Sequence, residues 1–531
     1  MALNLADLFE HAVDLFPERL AVACGDREVT YRELEERANR LAHYLASVGV
    51  SAGDHVGLYS GNSIEALETL LACCKLRAVA ININYRYGEK ELRYMLADSD
   101  SVALVYQRRL EPAVAAALGA APGLRDGGLV VIDDDGDSIG VGYETALKPH
   151  SPERDFGDRS SDDVYIIYTG GTTGHPKGVM WRHEDIWRTL GGGIDFMTRE
   201  PLPDEWAQSE AGKNGALVRL CAAPLIHGNA QVAALQSLFG GETIVLLPKF
   251  DPHEIWRAVE RRKVNVLVII GDAMARPLID ALNEGSYDTS SLLAFSSSAA
   301  LFSPAVKDAC VEALPNAVIT EAVGSTETGF AGIGMVAKGA EHKGGPTVSP
   351  GRDVLVLDDD DRPVGPGGVG RLARGGNVPL GYYKDPEKTA RLFVEVDGKR
   401  YTVPGDWARL EADGSFTLLG RGNTCVNTGG EKVYPEEVEG ALKSHPDVFD
   451  ALVIGVPDPR LGQSVAALVQ PRPQTTLDLD ALDAHLRGEI AGYKVPRSVW
   501  VVDGISRTVS GKADYTWAHA HAREHAPNRG A

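Results

Sequence analysis

Tyr168-Thr169-Gly170-Gly171-Thr172-Thr173-Gly174-His175-Pro176-Lys177-Gly178 is the stretch from which the fold is read. It follows Val164-Tyr165-Ile166-Ile167, an apolar, β-branched run with the character of a buried strand. A helical pattern begins beyond it, from Asp185. Four glycines, three threonines and one lysine thus sit between a strand and a helix. Glycine lets backbone N–H groups turn toward an anion, threonine hydroxyls add donors, and lysine supplies a mobile positive charge. Such a loop suits the tail of a nucleoside triphosphate; a plain turn is the ordinary alternative. The P-loop pattern G-x-x-x-x-G-K-[ST] fails here. Gly171 and Gly174 are too close together, Pro176 precedes the lysine, and Gly178 stands where a metal-binding hydroxyl should be.

Outward from this loop, strand-like and helical runs alternate. Upstream they are helix 5–15, strand 20–24, a helix from Thr30 to Tyr44, strand 55–59, helix 63–75, strand 78–82, helix 89–98 and strand 102–106. Thr30 with Glu33 three residues on reads as a capping box. Residues 118–158 are rich in Gly and Asp and read as a surface connection. Downstream come helix 187–197, a polar and mobile connection over 201–215, and a strand from Val218 that turns at His227-Gly228. A second alternating series then runs to about residue 345. The alternation predicts βαβ units and a largely parallel sheet, in two α/β subdomains at 1–217 and 218–345.

The texture changes from Thr347, where short strands at 353–357, 369–373, 398–402 and 415–419 are separated by Asp-, Gly- and Pro-rich turns. Beyond Arg421 an α+β pattern follows: helix 435–444 with Pro435 in its first turn, strands 448–454 and 464–469, helix 479–490 and strand 499–502. The expected fold class is α/β. Its large N-terminal domain, residues 1–420, has two α/β subdomains and a β-rich one; a small mobile α+β C-terminal domain spans 421–531.

Composition narrows the function classes. A chain of 531 residues exceeds one ordinary domain, and 44% hydrophobic residues give ample core. A formal charge of −21 argues against nonspecific nucleic-acid binding and against docking on an anionic membrane. The six cysteines show no C-x-x-C spacing, so reduced, buried thiols are expected rather than a zinc site or disulfide frame. No signal sequence, membrane-length apolar run or lipidation motif is read, which makes cytoplasmic the default location. Oligomeric state is left open, and a homo-oligomer is compatible with the sequence.

Four further motifs accompany the loop. Ala322-Val323-Gly324-Ser325-Thr326-Glu327-Thr328-Gly329 sets a carboxylate in a tight turn, beside hydroxyls that suit a divalent cation and phosphate oxygens. Tyr401-Thr402-Val403-Pro404-Gly405-Asp406-Trp407 places an Asp in a loop. Gly420-Arg421 opens a glycine-bearing run through Gly429-Gly430 to Tyr434-Pro435. Ser506-Arg507-Thr508-Val509-Ser510-Gly511-Lys512 lies near the C-terminus. Taken singly, each carboxylate or lysine is more often a cap or a solvated charge. Their order is the specific signal.

These five motifs resemble those of the adenylate-forming enzymes: acyl-CoA synthetases, luciferases and peptide-synthetase adenylation domains. The resemblance implies that Thr169, Gly170, Gly171, Thr172, Thr173, Gly174 and Lys177 hold the phosphates of ATP, with Ser325 and Thr326 beside them. It implies that Glu327 holds magnesium, Asp406 binds the ribose hydroxyls, Arg421 reaches ribose and phosphate, and Lys512 contacts the reacting carboxylate and α-phosphate. Lys512, Glu327, Lys177 and Thr326 are thus the expected catalytic residues. His227, Ser298, Ala299 and Gly324 are assigned to the acyl pocket, and Gly429 and Gly430 to the coenzyme A path.

Departures from the family pattern are Thr424 for Asp, Asn427 for Lys, Val509 for Pro, and the run 296–301 in place of Gly-Gly-Ala-Pro. The implied activity is ATP-dependent ligation of a carboxylic acid to coenzyme A. Only 19 residues follow Lys512, too few for a fused carrier domain. Loading of a separate carrier protein and non-catalytic adenylate binding are the alternatives. Within the family the chain looks most like bacterial fatty-acyl and steroid side-chain ligases, and small residues at 297–300 would leave room for a bulky apolar acid.

Overall fold

The computed structural model describes the chain except residues 1–3, 134–135, 170–174, 196–197, 301, 340–344, 423, 429–430, 508–512 and 531, and the side chain of Lys432. It divides into two compact units. One comprises Met1–Val268, Ser286–Leu293 and Asn377–Leu392; the other Ile269–Gly285, Ala294–Gly376 and Phe393–Ala531.

In the first unit, five parallel strands run in the order Val79–Ile83, His55–Tyr59, Ser101–Gln107, Leu129–Ile132 and Val141–Gly142. The last two lie inside 118–158, so this stretch is no mere surface connection. Leu129-Val130-Val131-Ile132 is a short buried strand hidden by its Gly- and Asp-rich flanks. A second sheet joins Leu20–Cys24 in parallel to Thr243–Leu246, which pairs with Val218–Cys221 and so with Val266–Ile269. The expected division at residue 217 is therefore overturned, because the first strand of the chain enters the sheet of the second series. Local periodicity marks a strand but not its partner.

Helix starts follow the sequence more closely. Thr30 accepts the Glu33 N–H while the Glu33 carboxylate accepts the Thr30 N–H at 2.7 Å, the reciprocal cap expected. The helix predicted over 187–197 instead covers His183–Thr189. A Cβ on Gly191 or Gly193 would stand 2.8 or 2.7 Å from Trp187, so the chain leaves the helix and packs on that ring. Residues 201–215 are also less loose than expected: Gln208 accepts the Trp187 indole N–H at 2.7 Å and donates to the Gly191 and Gln236 carbonyls.

A third, three-stranded sheet carries the glycine-rich stretch. In it β1 (Val164–Thr169) pairs antiparallel with β2 (Lys177–Arg182), and Gly381–Tyr382 flanks β2. Tyr168 and Ile166 close the apolar core formed with Tyr59, Ile81, Leu104 and Tyr106.

The second unit opens with α1 (Gly271–Glu284), β3 (Ala294–Ser298), α2 (Pro304–Ala313) and β4 (Val318–Ser325), β3 and β4 being parallel. The sheet then turns antiparallel through β5 (Gly329–Met335), Thr347–Pro350, β7 (Phe416–Arg421), β6 (Asp406–Leu410) and Val369–Gly375. This is the predicted β-rich region. Its core is Val323, Val348, Leu372, Ala408 and Phe416.

Farther on, α3 (Pro435–Lys443) and the helix Leu479–Glu489 accompany β8 (Val448–Asp458), β9 (Gly462–Pro471) and Ser498–Val501, close to the expected bounds. Val438, Leu442, Val453, Val469 and Leu486 make the core there, each worth about 1.5–3 kcal/mol when fully buried. The short strands Val426–Thr428 and Glu431–Val433 and the final helix Tyr515–Glu524 were not read from the sequence. The six cysteines, all among the described residues, form no disulfide; Cys73, Cys74, Cys221 and Cys310 are buried, whereas Cys24 and Cys425 are only partly so.

Candidate active site

Thr169 ends β1, Lys177 begins β2, and the two face each other in antiparallel register. The loop between them is therefore a hairpin loop, not the strand-to-helix loop expected, and the helix waits until His183. Gly170, Gly171, Thr172, Thr173 and Gly174 lie outside the described residues. The neck of the hairpin is tightly built. A Cβ on Gly178 would come within 2.8 Å of Ile166 and 2.9 Å of Tyr168, so glycine is what lets the two strands close. Tyr94 stacks on His175 at 4.4 Å and donates to the Pro176 carbonyl at 2.9 Å.

Lys177 is not waiting alone. Its Nζ donates to Asp385 Oδ2 at 2.6 Å, and this bond holds the Asp385 carboxyl below its ordinary range. Asp385 also accepts the Lys388 N–H at 3.1 Å, at the start of the helix Pro386–Leu392. With 30% of the Lys177 side chain exposed, the ammonium can exchange this carboxylate for a phosphate. Asp385 was missed in the sequence, where Asp-Pro reads only as a helix start.

Asn82 was missed as well. Buried at the end of an apolar strand, it accepts the Tyr168 N–H at 2.7 Å and donates to the carbonyls of Tyr168 at 2.9 Å and Ile226 at 2.6 Å. One amide thus ties the strand leading to Thr169 to the turn before His227. A polar residue inside a buried strand was the available signal. His227 precedes the helix Gly228–Phe239, and a Cβ on Gly228 would stand 2.9 Å from Ile167. The structure therefore brings Thr169, Lys177 and His227 onto neighbouring strands and turns of the first unit.

The second unit gathers another set. Parallel pairing of Ser298 with Ala322 sets the ends of β3 and β4 side by side, the carboxyl edge where open α/β sheets take ligands. Beyond β4 the chain reverses through Thr326, Glu327 and Thr328, with Ser325 paired to Gly329. Thr328 shapes the reversal: its hydroxyl accepts the Ser325 N–H at 2.9 Å and its N–H donates to Ser325 Oγ at 3.1 Å. Glu327 is 9% exposed.

Among the described residues no group of three or more His, Cys, Asp or Glu converges as a metal cage. A single carboxylate suits magnesium, which keeps water and takes substrate phosphates as its other ligands. Glu327 fits that donor set.

Beside this turn, Ala299 has φ +65°, and the Ala300 N–H donates to the Ser298 carbonyl at 2.9 Å. This is a γ-turn of the rarer, strained hand. Ser297 faces the other way, its hydroxyl accepting the Gly271 N–H at 3.0 Å. Of the small residues at 297–300, Ser297 is thus committed to holding α1.

Asp406 and Arg421, the two residues assigned to ribose, face each other across β6 and β7, with Arg421 Nε donating to Asp406 Oδ1 at 3.1 Å. Thr424, which stands where the family has Asp, donates its hydroxyl to the Arg421 carbonyl at 2.9 Å and its N–H at 3.1 Å. Asn427 is tied by its own N–H to Gln463 Oε1 at 3.0 Å. Next to the pair lies a residue the sequence did not single out. Glu436, in the first turn of α3, packs its carboxyl against Gly420, whose φ is +122°. Burial, then Glu439 and the Asp406 carboxylate, push Glu436 up to about 8, and its Oε2 has no hydrogen-bond partner among the described residues. Lys512, Gly429 and Gly430 lie outside the described residues.

With this geometry in hand, known proteins give the context. The AMP-binding enzyme family matches residues 9–383, and the AMP-binding enzyme C-terminal domain matches residues 437–512. The chain is 56% identical over 533 residues to the 3-oxocholest-4-en-26-oate–CoA ligase of Rhodococcus rhodochrous, covering 98% of this chain and 96% of that protein. It is 54% identical over 531 residues to the medium/long-chain-fatty-acid–CoA/3-oxocholest-4-en-26-oate–CoA ligase of Mycolicibacterium smegmatis, with the same coverage. ATP-bound MatB from Rhodopseudomonas palustris shares the fold at a TM-score of 0.82 and 27% identity, covering 98% of this chain and 99% of that one. No helix among the described residues is long and apolar enough to cross a membrane. A match across more than half of the chain, with both family segments in order, settles the kinship: this protein belongs to the AMP-binding, adenylate-forming enzymes.

Proposed function

We propose that this protein is an ATP-dependent acyl-CoA ligase that activates a hydrophobic carboxylic acid, a steroid side-chain acid or a medium- to long-chain fatty acid. The observation that carries the reading is identity above half, over 98% of the chain, to ligases named for those acids. A carboxylate is a poor electrophile, since attack would add charge to an anion. Its oxygen therefore first attacks the α-phosphorus of ATP; the bond to the β-phosphate oxygen breaks and pyrophosphate leaves. The coenzyme A thiol then gives up its proton and attacks the acyl carbon, the bond to AMP breaks, and the thioester forms.

In this scheme the protein positions groups and neutralises charge. Lys177 exchanges Asp385 for the β- and γ-phosphates. Thr169 and the glycine-rich loop add donors, and Ser325 and Thr326 bind phosphate oxygens. Asp406 accepts from the ribose diol while Arg421 reaches ribose and phosphate. Glu327 would hold magnesium, whose charge offsets that of the phosphates. His227, Ser298, Ala299 and Gly324 border the acyl group, and Gly429 and Gly430 the thiol path. Residues 421–531 form the small lobe, and Thr424 serves as its pivot in place of the family's Asp.

Lys512 stabilises charge at the reacting centre of the first step only. Lys512→Ala should lower acid-dependent ATP–pyrophosphate exchange by about 10²–10³-fold, as removal of a preorganised donor does. Thioester formation from supplied acyl-adenylate should hardly change. Slowing confined to the thioester step would refute this role. Exchange run across sterol-derived and fatty acids, followed by coenzyme A-dependent AMP release, identifies the acid; absence of any carboxylate-dependent exchange would mark a binding protein instead.

A further inference from the structure

Residues 508–512, which carry Lys512, lie between two described residues, Arg507 and Ala513, that pair as an isolated antiparallel bridge. Both sides of this neck are tied down. Ser506 Oγ donates to Asp514 Oδ2 at 3.1 Å, and Asp514 caps the helix Tyr515–Glu524. Arg507 grips Asp450 on β8 with two parallel bonds, Nε to Oδ2 at 2.7 Å and Nη2 to Oδ1 at 2.6 Å. A fork of this kind fixes the orientation of the guanidinium as well as its distance.

The line of charge continues past Asp450. Lys443, the last residue of α3, sets its Nζ 3.1 Å from Asp450 Oδ1 and 3.6 Å from Asp272 Oδ2, with 1% of its side chain exposed. Asp272 sits in the first turn of α1, where its Oδ1 accepts the Ser303 N–H at 2.8 Å. One turn along α1, Arg276 donates to the Lys443 carbonyl at 3.4 Å. The relay is tight at one end and loose at the other: Asp272 Oδ2 and Arg276 Nε have no hydrogen-bond partner among the described residues. Burying four charges is a costly way to gain stability, and a well-packed apolar cluster serves at least as well. What the relay supplies is geometry.

We propose that Asp450 is a positioning residue for the adenylation step. It holds Arg507, at the neck of residues 508–512, in one pose, and Lys443 references that pose to Asp272 on α1. This inference rests on the role given above to Lys512.

The test separates the half-reactions. Asp450→Asn keeps the shape and removes the charge. It should cut kcat for acid-dependent ATP–pyrophosphate exchange about tenfold or more, leave KM for ATP within about twofold, and leave thioester formation from supplied acyl-adenylate and coenzyme A within about twofold. Asp450→Glu should recover part of the loss. Should Asp450→Asn not fold, Arg507→Lys carries the test, because a lysine's single ammonium lacks the planar fork that fixes orientation, and the same selective loss is expected. Equal loss in both half-reactions, or no recovery with Glu, would overturn the proposal in favour of a purely structural pair. Lys512→Ala run alongside distinguishes the two readings: if it leaves exchange intact, the role of Lys512 fails; if it abolishes exchange while Asp450→Asn does not, only the positioning role fails.

Discussion

Two lysines in this protein meet aspartates in opposite ways. Among the described residues Lys177 pairs with Asp385 alone, at 2.6 Å, with 30% of its side chain exposed. Lys443 lies between Asp450 and Asp272 with 1% exposed. Water competes with the first pair, so its carboxylate can be traded for a phosphate at little cost. The second has no such substitute, and removing one partner strands the other charges in the interior. The same contrast separates Arg421 on Asp406, whose Nε donates at 3.1 Å, from Arg507 on Asp450, a two-bond fork. Loosely held charge is available to a ligand, whereas tightly held charge sets the position of something else.

The contrast can be broken most directly by replacing each lysine with an apolar residue of similar length. Lys177→Met should lower ATP–pyrophosphate exchange by about 10²–10³-fold while shifting stability by less than about 1 kcal/mol. Lys443→Met should instead cost about 3–5 kcal/mol in stability, read as a fall in denaturation midpoint. Similar effects on stability from both would end the distinction.

A buried carboxyl, one oxygen of which has no hydrogen-bond partner among the described residues, sharpens it further. Glu436 rests near 8 instead of 4.5 because it is buried beside Glu439 and Asp406. The folded protein therefore keeps a proton that the unfolded chain gives up between those values. This contribution to stability is fully present below the ordinary carboxylate range and is lost as the pH rises through about 8. Glu436→Gln should melt several degrees higher than the parent at about pH 8 and nearly with it at about pH 4. Parallel melting curves at the two pH values would show that this carboxyl is not neutral when folded. The smallest expected effect is at the strained turn. Ala299→Gly should stabilise by about 1 kcal/mol by relieving the left-handed backbone, a gain visible in thermal denaturation. A loss would mean that the Ala299 methyl packs well enough to outweigh the strain.

The local placement of the assigned residues was legible in advance because they lie in short, ordered motifs. Thr169, Lys177, Glu327, Asp406 and Arg421 fall at strand ends and turns, as their glycine neighbours imply. The partners that hold them were not legible. Asp385 is 208 positions from Lys177, and Asn82 is 86 from Tyr168 and 144 from Ile226. Thr328, nearby in sequence, was passed over because a hydroxyl beside a hydroxyl looks the same whether it binds a ligand or ties a turn. The hairpin form of the glycine-rich loop was misread for a related reason. Lys177-Gly178-Val179-Met180-Trp181-Arg182 alternates like a strand only once Gly178 is understood as a close approach to Ile166.

Periodicity, caps and motif order determined by themselves that this is an α/β protein with a β-rich section and a small α+β region near its end, carrying the residue types of an adenylating enzyme. These are properties of neighbours along the chain, within reach of a few bonds. The tertiary structure alone decided that Leu20–Cys24 joins the sheet of Thr243–Leu246, that Asp385 answers Lys177, and that Arg507, Asp450, Lys443 and Asp272 form one line. Each of these depends on which distant segments come within a few ångströms, and burial then fixes the charges brought together there.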